Sequence, residues 1–132
     1  MEDMMYKLMV SAGFAAAHQL RGYGGKCEDL HGHNWQVQLY VRADDLNEIG
    51  LAVDFKEMKG CLRTILQSLD HRYLNDLSPF QTCNPSSENI ARYIYGQASE
   101  RFKGSKVRVD SVRVWESENA YAEFSEELPS LQ

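Results

Sequence analysis

The sequence predicts an α+β domain: a four-stranded antiparallel sheet with two helices on one face, in the order β-β-α-α-β-β. Three patterns predict it. Residues 31–42 alternate strictly between two faces, two later stretches repeat apolar residues at helical spacing, and the last third carries two strand-like runs separated by a short turn.

Residues 6–18 (YKLMVSAGFAAAH) read as the first strand, weakened in the middle by alanine and glycine. Gly22, Gly24 and Gly25 mark the following stretch, 19–30, as a loop. In residues 31–42 one face takes His31, His33, Trp35, Val37, Leu39 and Val41, and the other takes Gly32, Asn34, Gln36, Gln38, Tyr40 and Arg42. That period of two is a half-buried strand. Asp54 and Glu57 have capping-box spacing and open a helix whose buried stripe is Phe55, Met58, Leu62, Ile65, Leu66 and Leu69. Residues 70–84 form a loop that ends at Asn84-Pro85, with Asn84 as the cap and Pro85 in the first helical position. The second helix buries Ile90, Ala91, Ile94, Ala98 and Phe102 and stops near Gly104.

Val107–Ser117 and Ala120–Phe124 form the last two strands, with a turn at Glu118-Asn119. The valines at 107 and 109 differ in parity from those at 112 and 114, which predicts a bulge near Asp110. A four-stranded sheet leaves two open edges, and proteins usually cover or pair such edges, so oligomerisation is expected.

The totals bound the function. A chain of 132 residues is one domain, spanning 1–132, able to bury roughly two-thirds of its unfolded surface. With 43% hydrophobic and 25% charged residues it reads as a soluble globular protein. A net charge of −5 without any basic cluster argues against a nucleic-acid partner. No apolar run is long enough for a membrane span, and Met1–Tyr6 lacks the features of a secretory signal, so a cytoplasmic location is expected. Three cysteines without paired spacing do not make a disulfide framework. Cys61 falls in a helical apolar pattern as core filler, and Cys83 in a loop receives no role.

The chain has only four histidines. His31 and His33, two apart on a strand, point to the same side, and His18 ends the neighbouring strand. Three neutral imidazoles can converge at the ~2.0–2.1 Å that zinc requires and leave a fourth position open, as a catalytic site needs. The plainer alternative, three unrelated strand histidines, fits this clustering less well. Cys27, four residues before His31, is either a fourth ligand, which would make the site structural, or a nucleophile or proton-transfer group whose thiolate the cation favours. Asp70-His71 has the form of an oriented general acid/base, with a cap or salt bridge as the alternative. Glu116 interrupts a hydrophobic strand with a carboxylate suited to a planar amidine-like edge, or else to an ion pair with Arg113 or Arg108. The Gly22–Gly25 loop lacks the context of a phosphate cradle.

Six segments then carry a resemblance spread over nearly the whole chain: Phe14-Ala15-Ala16-Ala17-His18, Cys27-x-x-x-His31-Gly32-His33, Val53-Asp54-Phe55, Leu69-Asp70-His71-x-x-Leu74-Asn75, Pro85-Ser86-Ser87-Glu88-Asn89 and Trp115-Glu116-Ser117. In this order the chain resembles the 6-pyruvoyltetrahydropterin synthase / 6-carboxytetrahydropterin synthase family. The resemblance implies the tunnelling fold, a Zn2+ cofactor on His18, His31 and His33, and a catalytic Cys27 assisted by Asp70 and His71. It also implies a pterin ring anchored by Glu116 with Ser86 and Ser87, and with Ser117 at a substrate-side position where threonine is frequent. The substrate it implies is dihydroneopterin triphosphate, and the assembly a homohexamer, a dimer of trimers with active sites between subunits. Lys26 and Arg21 are triphosphate candidates by position.

The stretch Cys27-Glu28-Asp29-Leu30-His31-Gly32-His33 contains both C-x-x-x-H-G-H and E-x-x-H-G-H. The first resembles carboxy synthases that feed queuosine and other deazapurines. The second resembles relatives that cut the side chain to 6-hydroxymethyl-dihydropterin for folate, with Glu28 as the residue concerned, unless Glu28 is a plain solvated acid. The 6-carboxytetrahydropterin synthase is the leading reading, and a 6-pyruvoyltetrahydropterin synthase is a further enzyme alternative. A structural-zinc or purine-binding module is the non-enzyme alternative, against which Cys27, Asp70 and His71 speak.

Overall fold

The structure is a computed structural model that describes residues 5–22 and 29–126. Strand β1 (Tyr6–His18) and strand β2 (His31–Ala43) pair antiparallel over their full length, with His18 directly opposite His31. After helix α1 (Phe55–Gln67) comes a two-residue strand β3 (Arg72–Tyr73), then helix α2 (Ser87–Arg101), strand β4 (Val107–Ser117) and strand β5 (Ala120–Phe124). The sheet has five strands in the order β3-β1-β2-β4-β5, one more than the sequence predicts. The extra strand runs parallel to β1 and pairs only with Ala16 and Ala17. Two residues carry no readable alternation, which is why sequence periodicity passes over them.

The alternation of β2 becomes burial: Trp35, Val37, Leu39 and Val41 are at most 1% exposed and form one wall of the core. The parity break in β4 is a bulge. Tyr40 pairs with Ser111 and Val41 with Val109, so Asp110 is passed over and Val107, Val109, Val112 and Val114 all turn inward. The Asp110 carboxylate turns to Lys7 at 3.2 Å and Arg42 at 3.8 Å.

Helix α1 packs on β1, and α2 packs on β4 and β5. Asp54 caps α1, its side chain accepting from Lys56 N–H at 2.8 Å, which typically contributes about 1 kcal/mol. Glu57 reaches toward Arg101 at 3.6 Å, so the reciprocal half of the expected capping box is turned to α2 instead. Met58, Leu62, Ile65, Leu66 and Leu69 are buried as the stripe predicts. Phe55 is not: at the first helical position it lies ahead of the packed turns and is 50% exposed.

Helix α2 begins two residues later than predicted. Ser86 is its cap, accepting from Asn89 N–H at 3.2 Å, because Asn84 has other work on the far side of the chain. Cys61 is buried, and burial pushes its thiol pKa up, as expected of inert filler. Cys83 is exposed. No helix among the described residues is long and apolar enough to cross a membrane.

Candidate active site

The β1–β2 pairing builds the site. His18 faces His31 across the ladder, and His33 faces Ala16, whose small side chain leaves room for the imidazole. The His18, His31 and His33 rings stand edge-on to one another, with centroids 4.6–5.1 Å apart. Trp35, the next residue on this face, forms the floor, with its centroid 4.9 Å from His18 and 5.2 Å from His33. Trp35 is itself stacked on Phe14 and bonds through Nε1 to the Ala16 carbonyl at 3.3 Å.

Two of the rings are oriented by carbonyls. His18 Nδ1 is 2.7 Å from the Pro85 carbonyl, and His31 Nδ1 is 2.8 Å from the Asp29 carbonyl. A carbonyl can only accept, so each Nδ1 carries the proton and each Nε2 keeps its lone pair for the centre of the cluster. His18 is 1% exposed, and its Nε2 has no hydrogen-bond partner among the described residues. An uncompensated buried acceptor is costly, and a cation would satisfy it. Glu116 joins the group: its ligand oxygen and the three imidazole nitrogens all lie within 4.8 Å of one another. The donor set can therefore hold a metal ion.

Glu116 stands 3.4 Å from His33 Nε2 through one oxygen and accepts from the Ser87 hydroxyl at 3.3 Å through the other. Its alternative partner Arg113 is held by Glu123 at 2.6 Å. Its side chain is 38% exposed, so one side of the carboxylate is open to a ligand. Ser86 lies at the start of α2 as the cap. Ser117 does not join the histidines. It lines an open depression of about 560 Å³ with Asn34, Gln36, Gln38 and Trp115, residues of the sheet face away from the helices.

Asp70 and His71 are fastened to β1. Ala15 N–H donates to Asp70 Oδ1 at 2.9 Å, and His71 N–H donates to the Ala15 carbonyl at 2.6 Å. His71 has φ of 58°, left-handed backbone that a β-carbon disfavours and that these bonds hold in place. Its Nδ1 is 3.0 Å from Asp70 Oδ1, and its side chain is 81% exposed. The Ala15 N–H, with smaller help from His71, lowers the Asp70 pKa below its ordinary value.

A group with a depressed pKa stabilises the fold above its unfolded value and loses that contribution as pH falls through the folded one. Replacing Asp70 by Asn should lower the melting temperature at neutral pH. It should also flatten the loss of stability on acidification below about pH 4. Melting curves across that acid range test it; identical slopes in variant and parent would refute the coupling.

Cys27, Glu28 and Lys26 lie outside the described residues. Arg21 is committed to the fold: its guanidinium donates to the carbonyls of Asn75, Phe80 and Cys83 at 3.1, 2.8 and 3.3 Å. Sequence reasoning passed over Trp35 as the floor, although its place in H-x-H-x-W put it on the histidine face. It also passed over the Pro85 carbonyl, which no sequence pattern marks.

The profile of the 6-pyruvoyl tetrahydropterin synthase family matches residues 7–127. A Synechocystis protein named 6-carboxy-5,6,7,8-tetrahydropterin synthase is 38% identical over 73% of this chain and 77% of its own. A Pyrococcus furiosus protein named dihydroneopterin monophosphate aldolase is 30% identical over 95% of this chain and 98% of its own. The solved structure of Caenorhabditis elegans 6-pyruvoyl tetrahydropterin synthase superposes with a TM-score of 0.80, covering 96% of this chain and 100% of its own at 22% identity. At that identity the likeness establishes the fold.

Proposed function

Because the chain belongs to the 6-pyruvoyl tetrahydropterin synthase family of pterin enzymes, we propose that it is a zinc-dependent lyase acting on 7,8-dihydroneopterin triphosphate. Its products would be 6-carboxy-5,6,7,8-tetrahydropterin, acetaldehyde and triphosphate, with one water consumed. The observation that carries this reading is the triad of His18, His31 and His33, with the Nδ1 protons of His18 and His31 held by carbonyls. Neutral imidazoles with a proton on the distal nitrogen are the usual zinc ligands.

His18, His31 and His33 would hold the ion, leaving Glu116 for the pterin. When bound, zinc supplies Lewis acidity toward the oxygens of the substrate side chain. Asp70 holds the proton on His71 Nδ1, so His71 Nε2 is the atom that takes up or delivers a proton. Cys27 is the second proton-transfer group. The Glu116 carboxylate accepts from the amino and ring N–H edge of the pterin, and the Ser87 hydroxyl keeps it oriented. Ser86 remains a further hydroxyl assigned to substrate, whereas Ser117, on the sheet face away from the helices, does not reach the same side as Glu116 within this chain.

The reading extends to a cytoplasmic homohexamer in the queuosine and deazapurine route. Among the described residues, β3 covers only Ala16 and Ala17 of the outer edge of β1, and β5 forms the opposite edge. Both invite pairing with another copy.

One observation favours a second reading, side-chain cleavage to 6-hydroxymethyl-7,8-dihydropterin for folate: the aldolase relative together with Glu28 in the Cys27–His33 motif. Anaerobic incubation of the zinc-loaded protein with dihydroneopterin triphosphate, followed by mass spectrometry, separates the two. The expected products are 6-carboxytetrahydropterin and acetaldehyde. A dominant 6-hydroxymethyl product would replace that reading with the folate one and give Glu28 a chemical role.

A further inference from the structure

The segment that leaves β1 after His18 is held by two asparagine side chains. Asn75 accepts from Gln19 N–H at 2.9 Å and donates to the Gln19 carbonyl at 2.7 Å. Asn84 does the same two residues on, accepting from Arg21 N–H at 2.8 Å and donating to the Arg21 carbonyl at 2.9 Å. A carboxamide carries one acceptor and one donor in the same relation as a backbone residue, so it can stand in for a strand partner. The two asparagines thus continue, with side-chain atoms, the pairing that β3 makes with Ala16 and Ala17.

The second of these clasps reaches the metal site. Asn84 immediately precedes Pro85, whose carbonyl holds His18 Nδ1. Asn84 is fixed a second time by Asn89, whose side chain donates to the Asn84 carbonyl at 2.9 Å. On the other side of Pro85, Ser86 caps α2, and the first helical bond runs from Ile90 N–H to the Ser86 carbonyl. The Pro85 carbonyl is therefore upstream of the helix ladder and free for the imidazole, while both flanking residues are immobilised. Proline's ring restricts the remaining backbone freedom.

We infer that Asn84 is a positioning residue for the metal centre: its carboxamide clasps Arg21 and holds the Pro85 carbonyl against His18 Nδ1. It selects the Nδ1–H tautomer of His18 and aims Nε2 into the cluster. This assignment rests on the metal reading above. It also explains why Asn84 is not the helix cap, a role that an asparagine before proline would otherwise fill.

The test uses Asn84→Ala, Asn84→Asp and a core variant, Ile94→Val, that lowers stability away from the site. Two quantities are read: the tautomer of His18 in the metal-free protein by nitrogen-15 NMR, and zinc affinity by chelator competition. Loss of an outer partner of a ligating histidine typically weakens metal binding by roughly 10–100-fold. Asn84→Ala should show that loss together with a mixed tautomer, and Asn84→Asp, which keeps the acceptor for Arg21 N–H but loses the donor, should fall between. Ile94→Val should lose stability and keep both the tautomer and the affinity. Wild-type tautomer and affinity in Asn84→Ala, or losses in Ile94→Val matching its own, would overturn the assignment. If Asn84→Ala does not fold, Asn84→Asp decides alone, and parental behaviour in it has the same consequence. Failure of the parent chain to bind zinc would overturn the metal reading, while the tautomer, measured without metal, still decides the role of Asn84.

Discussion

Replacing His31 by Ala should empty the metal site and abolish turnover while leaving the fold largely unchanged. His31 is the proposed ligand best suited to this experiment because it is only half-buried, at the start of β2, with its Nδ1 held by the Asp29 carbonyl. His18 is different: it is 1% exposed and packed on Trp35, so its removal would confound ligation with packing. With one of three imidazoles gone, the remaining pair cannot complete the tetrahedral set that zinc prefers. The activity loss should exceed the roughly 10–100-fold that follows removal of an outer-shell partner. Elemental analysis of the purified variant should show metal far below a full equivalent. The parent should gain thermal stability with added zinc, and the variant should not, because only a ligand that binds the native state shifts unfolding. A companion His71→Ala protein should keep its metal and lose turnover, since His71 is fastened to Asp70 and Ala15 rather than to the triad. Full metal content in His31→Ala would remove the triad from the mechanism.

The parts of this site that were legible in the sequence are those written in strand periodicity. His31, His33 and Trp35 share a face because a strand alternates, and the same alternation carries on into Val37, Leu39 and Val41. The Asp110 bulge was legible for the same reason, as a change of parity among valines. What was not legible depends on side chains reaching main chain across long separations. Asn84 has a strong local reading as a helix cap, and only the fold shows that its carboxamide is taken by Arg21, 63 residues away. Phe55 fits the helical stripe but lies at the first helical position, outside the packed surface. Strand β3 is two residues long and is defined by what it pairs with rather than by its own pattern. Arg21 looked available for an anionic substrate, yet three carbonyls occupy its guanidinium.

Trp35 ties the candidate metal site to the core, and its replacement by Ala should be the most destabilising single change at the site. It is 1% exposed, stacks on Phe14 at 5.9 Å with nearly parallel rings, and packs nearly perpendicular to the rings of His18 and His33. Truncation removes a large apolar surface and leaves a cavity on the core side of the β1–β2 pair that the strands cannot close without breaking their ladder. Such changes cost about 3–5 kcal/mol. Because Trp35 is also the surface on which His18 and His33 rest, zinc affinity should fall in Trp35→Ala even at temperatures where the variant remains folded. Trp35→Phe separates the two contributions: it restores most of the packing but drops the Nε1 bond to the Ala16 carbonyl, so it should recover most of the stability. If the floor acts by filling space, metal affinity should return with stability in the Phe variant. If Trp35→Phe recovers stability but not affinity, the Nε1–Ala16 bond is what sets the histidine geometry, since Ala16 is the residue directly opposite His33. A Trp35→Ala chain as stable as its parent would show that the β1–β2 wall closes over the gap, and the view of Trp35 as the common floor of core and site would be wrong.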